Sequence, residues 1–280
     1  MNIFRLILIA TLIGAFVPMI SQSAEKESAK KVLYFTKSAG FEHSVVKREG
    51  DQFSHSERIL KDAFECGGVE VVCSKDGGLI SEESLKDFDT VILYTSGNLL
   101  EKGTGGQPAI SEEGLKALFE WVKNGGGLIG VHAATDSLRD EEPTEYTKMI
   151  GGAFLTHGKQ EYANVRVVDP EFPAMKGLPV EFRMIDEWYL HNQINAAGNM
   201  HVLAVLESGK MEQEMYNKSE TVPVMWASSY GKGRVFYTAL GHREDVWEMP
   251  LFQGILVQAH KWTSGQLEGD PKPNFKDFFK

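Results

Sequence analysis

Short apolar segments alternate with amphipathic ones through the first half of the chain, and this alternation limits the possible folds more than any other feature. Residues 31–36 (KVLYFT), 90–95 (TVILYT) and 128–131 (LIGV) carry apolar side chains at nearly every position. Strands that are buried on both faces have this pattern, and they occur mainly in parallel sheets. The segments therefore predict buried strands of a parallel sheet.

The segments between these strands have the spacing of amphipathic helices. Leu115, Leu118, Phe119 and Val122 lie at i, i+3, i+4 and i+7, on one face of a helix that Ser111 can cap. Further helices are predicted at about residues 50–65, 81–88 and 251–259. Strands that alternate with helices form βαβ units, so we predict an α/β fold with a mostly parallel sheet and helices on both faces.

The second half of the chain is less regular. Its predicted elements are a strand at residues 164–168, a loop at 169–179, and a hairpin from 223–229 and 234–238. No internal repeat or low-complexity linker divides the chain. We therefore predict one domain over residues 25–265, followed by a polar tail over residues 266–280.

The first 24 residues have the layout of a secretory signal. Arg5 precedes an apolar run at residues 6–17, and small residues at 21–24 suit cleavage by a signal peptidase. The run has about 12 residues, short of the roughly 20 that span a bilayer, so a membrane anchor is the weaker alternative. We predict that residues 1–24 are removed and that the mature protein is periplasmic or secreted, without a membrane span.

Charge and cysteine content exclude other classes of function. The formal net charge of −10 argues against a nucleic-acid partner, because nucleic-acid binding needs a basic face. This charge fits a protein that handles a small, neutral ligand. Cys66 ends a predicted helix and Cys73 lies in the next strand, too far away for a disulfide, so both are predicted to be reduced.

The segment around His132 gives the strongest indication of chemistry. Residues 130–134 (GVHAA) follow an apolar strand and place small residues two positions before and after the histidine. A nucleophile elbow requires such residues because its strand-to-helix turn is sharp and closely packed. His132 is predicted to project from this elbow, with Asp136 one turn later toward the same cleft. The alternative is a histidine that only forms a hydrogen bond at a strand end.

Five segments, in order, resemble successive motifs of the ThuA-like family, which is named for trehalose utilisation. They are GFEHSVV (40–46), GGGLIGVHAATDS (125–137), GGAFLTHG (151–158), DEWYL (186–190) and PVMWASSYGKGRVFYTALGH (223–242). The resemblance spans most of residues 31–263. It implies a fold like that of class I glutamine amidotransferases, with a flavodoxin-like sheet, and a role in carbohydrate metabolism. It implies no particular reaction.

The chain departs from true amidotransferases at the elbow. Those enzymes form a thioester through a cysteine, with histidine as its base. Here His132 occupies the elbow, while Cys66 and Cys73 lie far upstream. Glutamine hydrolysis is therefore not expected, which leaves acid–base or metal-assisted chemistry.

Two more residues complete the predicted catalytic group. His242 follows a late strand, in a place similar to that of the histidine in the amidotransferase triad. Glu187 lies beside Trp188 and Tyr189. Carboxylates bind sugar hydroxyls and flat rings stack on pyranose faces, so these two aromatic residues are predicted to bind substrate. The alternatives are a histidine that caps a strand end and a carboxylate on the surface.

The other histidines are weaker candidates. His43 and His157 lie in glycine-bearing loops that the resemblance marks, and we predict that they contact substrate together with Asp136. His191 is close to Glu187 but its direction is left open. A structural role is predicted for His55, His201 and His260.

Metal binding is left open by the sequence. His132, His242 and a carboxylate could form the three-ligand site of a catalytic divalent metal, yet no short spacing such as H-x-x-x-H supports one. The fingerprint G-x-G-x-x-G is absent, so no nucleotide cofactor is expected. A sugar dehydrogenase of the same pathway would then be a separate partner.

Two functions agree with these observations. The first is an exported enzyme that acts on a sugar, keto-sugar or glycoside, with His132, Glu187 and His242 exchanging protons. Histidine suits this work because its ordinary pKa is about 6.5. The second is a non-catalytic sugar-binding protein whose tryptophans supply stacking surfaces. Titratable residues at the elbow favour the enzyme.

Overall fold

A nine-stranded sheet organises the part of the chain that the structure describes. The structure is a computed structural model, and it describes residues 31–207, 209, 211–218 and 221–279. The predicted signal peptide at residues 1–24 lies outside these residues.

Strands and α-helices alternate in the first half of the described residues, whereas seven strands follow α4 before the next α-helix. The strands are β1 (Lys31–Phe35), β2 (Ser38–Ala39), β3 (Glu70–Ser74), β4 (Thr90–Leu93), β5 (Ser96–Gly97), β6 (Gly127–Val131), β7 (Ala153–His157), β8 (Glu161–Val167), β9 (Glu181–Asp186), β10 (Tyr189–Asn192), β11 (His201–Glu207), β12 (Thr221–Tyr230) and β13 (Gly233–Thr238). The helices are α1 (His55–Glu65), α2 (Glu82–Leu85), α3 (Glu112–Lys123), α4 (Glu145–Ile150), α5 (Glu244–Glu248), α6 (Pro250–Thr263) and α7 (Phe275–Phe278). None of these helices combines the length and the apolarity that crossing a membrane requires.

Five neighbouring strands form the parallel part of the sheet. Their order is β3-β1-β4-β6-β13, and each adjacent pair is parallel. Beyond β13 the sheet continues through β12, β11, β8 and β9 with antiparallel pairs. The structure confirms the predicted α/β fold with a mostly parallel sheet. It adds an antiparallel extension of which the sequence predicts the β12–β13 hairpin.

The helices begin where capping residues occur in the sequence. Ser54 caps α1: its hydroxyl accepts a bond from the Glu57 N–H (3.4 Å), and the Glu57 carboxylate accepts one from the Ser54 N–H (2.8 Å). The sequence predicts that this helix starts at about residue 50, but α1 begins at His55 because the capping box lies there. Ser111 caps α3 as predicted, and α3 buries Val122 against the core.

Burial on both faces makes the parallel strands a rigid support. Residues 32–35 of β1 and 90–92 of β4 have no exposed surface. Each large apolar side chain buried in this way stabilises the fold by about 1.5–3 kcal/mol. The carboxyl ends of β1, β4, β6 and β13 therefore meet at a well-fixed edge, which is where parallel sheets bind ligands.

The two cysteines do not form a disulfide. Cys66 is the C-cap of α1 and is exposed, whereas Cys73 lies in β3. Both thiols are free, as the sequence predicts. Burial raises the pKa of the Cys73 thiol to about 12, with a further contribution from the charge of Glu57, so this thiol is a poor nucleophile.

The end of the chain, for which the sequence predicts a polar tail at residues 266–280, packs against β11. The Asn274 side chain accepts a bond from the Val202 N–H (2.6 Å) and donates one to the Val202 carbonyl (3.1 Å). A side-chain amide thus pairs with β11 as a neighbouring strand would. Three phenylalanines of this segment pack against the core: Phe275, Phe278 and Phe279.

Candidate active site at the carboxyl edge of the sheet

Four side chains from distant segments converge at the carboxyl edge of the sheet. His43 follows β2, His132 follows β6, Glu187 lies between β9 and β10, and His242 follows β13. One nitrogen or carboxylate oxygen of each lies within 4.8 Å of the others. The structure therefore brings together all three predicted catalytic residues and one of the two histidines predicted to contact substrate, His43. We call these four residues the His–Glu cluster. Their catalytic roles stay predictions.

His132 occupies the elbow and is fully buried. Its φ of 43° is the left-handed conformation of a sharp strand-to-helix turn. Its Nδ1 lies 2.8 Å from the Ala239 carbonyl oxygen. A carbonyl only accepts hydrogen bonds, so Nδ1 carries a hydrogen, and when the ring is neutral its Nε2 presents a lone pair to the cluster.

Gly130 gives the elbow the space it needs. A Cβ at this position would lie 2.5 Å from Cδ1 of Ile150 and 2.9 Å from the Tyr237 ring. Tyr237 in turn donates a hydrogen bond to the His132 carbonyl (2.7 Å). The small residue that the sequence shows before the histidine is therefore required by close packing.

Glu187 is the anionic member of the cluster. One carboxylate oxygen lies 3.1 Å from Nδ1 of His242 and 3.6 Å from Nε2 of His132, and the other lies 3.2 Å from Nδ1 of His157. Burial by itself would raise the pKa of Glu187, but the contacts with His132 and His242 hold it well below its usual range. The carboxylate is therefore ionised at neutral pH.

Asp186, which is not among the residues predicted from the sequence, connects two segments of the site. Its two carboxylate oxygens accept hydrogen bonds from the Glu187 N–H (2.9 Å) and the Gly241 N–H (2.8 Å). These are the peptide groups of Glu187 itself and of the residue before His242. Burial raises the pKa of Asp186, against the opposing effect of the His132 charge. The only sequence signal for this role is an acid directly before Glu187.

His43 and Tyr189 form one wall of the cluster. His43 is buried, and burial, together with the charge of His132, lowers its pKa to about 2, so the ring is neutral. The Tyr189 hydroxyl lies 3.4 Å from Nε2 of His43, and the Tyr189 ring packs 4.0 Å from the His132 ring. Within the described part of the chain, Nδ1 of His43 has no hydrogen-bond partner.

His157 and Asp136 lie at the border of the cluster. His157, on β7, is exposed and reaches the cluster through its contact with Glu187. Asp136 forms an ion pair with Arg139 (2.6 Å) and lines a polar cavity of about 350 Å³ with Asn98. Burial raises the pKa of Asp136, against the opposing charge of Arg139. His157 is thus available to a ligand at the cluster, whereas no residue of the His–Glu cluster lines the cavity beside Asp136.

The prediction that Trp188 stacks on substrate is wrong. Its side chain has no exposed surface, and its indole N–H donates a hydrogen bond to the Glu161 carbonyl (2.9 Å). The large apolar ring gains more from burial in the core than it could at a wet site edge. Three further tryptophans are equally buried: Trp226, Trp247 and Trp262.

Phe41 is the exposed aromatic residue beside the cluster. It is 68% exposed, and its ring meets the His43 ring edge-on at 4.9 Å. The Ser96 hydroxyl donates a bond to the Phe41 carbonyl (2.6 Å) and so fixes the backbone there. Phe41 is not among the residues predicted from the sequence, where the one indication of it is its place two residues before His43.

The remaining histidines lie outside the cluster. His191 lies behind the elbow, where its Nε2 is 3.3 Å from the hydroxyls of both Thr135 and Tyr237. His201 bonds to Asp169 (2.9 Å), and the other two also have structural contacts: His55 and His260. These positions agree with the structural roles that the sequence predicts.

Comparison with known protein families shows to which family the chain is related. The family model of ThuA, described as trehalose utilisation, matches residues 31–263. The chain belongs to the ThuA family. Membership in this family relates the protein to trehalose utilisation, and so to carbohydrate metabolism.

Two solved structures of ThuA-like proteins resemble the chain. The protein from Parabacteroides merdae has 20% sequence identity and a TM-score of 0.63, with 86% of this chain and 91% of that chain covered. The protein from Bacteroides uniformis has 20% identity and a TM-score of 0.64, with 91% and 99% covered. These likenesses confirm the ThuA fold. A search of the curated proteins found no match.

The ThuA site of this chain can transfer protons and can also hold a cation. It contains a carboxylate at Glu187 that is ionised at neutral pH, an imidazole at His132 whose Nε2 faces that carboxylate, and a second imidazole at His242, which is 18% exposed. Three imidazoles and one carboxylate also form a donor set for a divalent metal. The elbow carries no thiol, so the thioester route of amidotransferases does not apply to this site.

Proposed function

We propose that this ThuA protein is an exported enzyme of carbohydrate metabolism that acts on a sugar, keto-sugar or glycoside by acid–base chemistry at His132, Glu187 and His242. The observation that carries the proposal is the convergence of these three side chains, from three separate segments, at the carboxyl edge of the sheet. The family description supports the substrate class. The composition of residues 1–24 supports export.

Each residue of the group has a distinct role in this proposal. His132 is fully buried, so a proton from a carbinol or from a carbon next to a carbonyl reaches its Nε2 through His242, whose Nδ1 lies 3.3 Å away, while the Ala239 carbonyl stabilises the imidazolium through Nδ1. His242 lies on the solvent side of the cluster and returns a proton to the reacting sugar. Glu187 stays ionised and stabilises the positive charge that moves between the two rings. Hydrolysis, isomerisation and elimination all begin with these transfers.

A keto-sugar substrate places the enzyme after an oxidation. A carbonyl on a sugar ring arises when a hydroxyl is oxidised, which requires a dehydrogenase with its own electron acceptor. The sequence carries no dinucleotide fingerprint, so we propose that a separate sugar dehydrogenase supplies the substrate.

The test is an assay of the mature protein against trehalose, other disaccharides and their keto derivatives, followed by NMR. We expect turnover of at least one keto-sugar or glycoside, and loss of that turnover in His132→Ala. His55→Ala, on the surface of α1, is the matched control and should keep it. If the wild-type protein binds one of these sugars but turns over none of them, the non-catalytic sugar-binding alternative is favoured instead.

Phe41 is expected to contribute to substrate affinity. Its exposed face lies one ring away from the cluster, where a sugar ring bound to the cluster can stack on it. Aromatic contacts of this kind stabilise by about 0.5–1.5 kcal/mol, so Phe41→Ala should raise KM roughly 2- to 10-fold with kcat nearly unchanged. Phe41→Tyr should retain the wild-type KM. Phe53→Ala, which removes another exposed ring, is the control, and an equal effect there would contradict the role of Phe41.

A further inference from the structure

Three ligand atoms of the His–Glu cluster are spaced as a metal ion would hold them. Nε2 of His132 lies 3.3 Å from Nδ1 of His242, which lies 3.1 Å from the Glu187 carboxylate, and the third side of this triangle is 3.6 Å. Zinc binds imidazole nitrogen and carboxylate oxygen at about 2.0–2.2 Å, which in a tetrahedron separates two ligands by roughly 3.3 Å. We propose that His43, His132, Glu187 and His242 bind one divalent transition-metal ion.

The hydrogen-bonding capacity of the cluster supports an ion. In the neutral tautomer whose Nδ1 donates to the Ala239 carbonyl, Nε2 of His132 presents a lone pair toward a carboxylate oxygen of Glu187. Two acceptors therefore face each other at 3.6 Å, and Nδ1 of His242 can donate its hydrogen to only one of them at a time. A cation between the three atoms accepts one lone pair from each of them.

The surroundings of the ligands match those of protein metal sites. Histidine ligands usually donate their second N–H to a backbone carbonyl or a carboxylate, as His132 does to Ala239. Asp186 bonds to the peptide N–H groups of Glu187 and Gly241, so it fixes two of the ligand segments relative to each other. Such outer contacts hold the ligands in place before the ion binds.

His43 is the fourth ligand. Its ring is buried edge-on against His132 and His242, with ring centres 5.1 Å and 5.2 Å away. Its ligand atom lies within 4.8 Å of the other three, farther than in the His132–Glu187–His242 triangle. We expect a small inward movement of His43 when the ion binds. His242 and Glu187 retain some exposure, so a water molecule or sugar oxygen can reach the ion.

The donor set selects the class of metal. Imidazole ligands suit zinc, copper, iron and nickel, whereas magnesium and calcium prefer sites made of oxygen. The inference goes beyond the proposed function, since metal binding needs no sugar. It also changes the roles of the same residues, because they would hold the ion. The ion would lower the pKa of a bound water molecule or sugar hydroxyl, and that group would give up the first proton.

The first experiment measures metal binding without substrate. Protein without a histidine tag is stripped with a chelator, dialysed against zinc or cobalt(II), and analysed for bound metal, visible cobalt absorption and thermal unfolding. We expect one equivalent of zinc, cobalt bands typical of nitrogen and oxygen ligands, and a Tm raised by roughly 5–15 °C when free metal is 100 to 1,000 times Kd. Wild-type protein that retains no zinc and shows no Tm shift would overturn the proposal.

The second experiment assigns the ligands. His43→Ala, His132→Ala, Glu187→Gln and His242→Ala should each weaken zinc binding at least about 100-fold, because removing a ligand costs more than the 10- to 100-fold of an outer contact. His55→Ala should bind zinc as the wild type does. Circular dichroism checks the folding of each variant, and Glu187→Ala replaces Glu187→Gln if the latter does not fold. Wild-type affinity in all four variants would place the metal elsewhere and overturn the assignment.

The two proposals fail separately. Zinc binding at the four residues without any sugar turnover would support the metal site and count against the proposed function. Sugar turnover that depends on His132 but survives complete removal of metal would support the proposed function and overturn the role of the ion.

Discussion

Replacing His132 or His242 by alanine, or Glu187 by glutamine, is expected to lower sugar turnover at least about 100-fold in each case. The reason is geometric: each side chain lies within 3.6 Å of the other two, so each takes part in the same proton transfers. Steady-state kinetics on the best keto-sugar or glycoside measure this loss as a fall in kcat. A variant that keeps wild-type kcat would remove its residue from the proposed group.

Double substitutions in this group should cost much less than the product of the single ones. Residues of one mechanism are non-additive, because the first loss already disables the step in which the second acts. We therefore expect His132→Ala combined with His242→Ala to be only slightly slower than either single variant. Full multiplication of the two losses would show that the residues act in separate steps.

The positions of His132 and His242 could be predicted from the sequence because both are set by local pattern. An apolar strand before each histidine places it at a strand end, and parallel strands bring such ends to one edge. The small residues around His132 also predict the sharp strand-to-helix turn of an elbow. The predicted parallel sheet and this edge are therefore enough to bring the two rings together, at 3.3 Å between their nearest nitrogen atoms.

The rest of the site depends on contacts that no local pattern encodes. Glu187 reaches the cluster from the antiparallel extension, whose strands β8 and β9 pair with partners far away in the sequence. The bridge from Asp186 to Gly241 spans 55 residues. Trp188 was assigned to the site by its neighbours, yet the strand geometry around it turns the indole into the core. The positions of these side chains therefore depend on contacts between segments that are separated in the sequence.

Acidification is expected to destabilise the protein through His191, among other groups. Burial lowers the pKa of His191 to about 3, with a smaller contribution from the charge of His132, whereas an unfolded histidine has a pKa of about 6.5. Between these values the unfolded state binds more protons than the folded state, so stability rises with pH across this window. The contribution of the neutral ring is therefore complete above pH 6.5 and is lost as the pH falls toward 3.

His191→Phe isolates this effect, because phenylalanine has a similar shape and carries no proton. At pH 7 the variant should be less stable by about 1 kcal/mol, since it loses the contacts of Nε2 with Thr135 and Tyr237. At pH 4.5 the wild-type ring stays neutral in the fold but is charged in the unfolded state, which should lower the free energy of unfolding by about 2 kcal/mol, after allowance for the partial exposure of His191. The order of stability should therefore reverse, with the variant more stable in acid. Urea unfolding at both pH values measures the free energies, and equal differences at the two would show that His191 titrates normally in the fold.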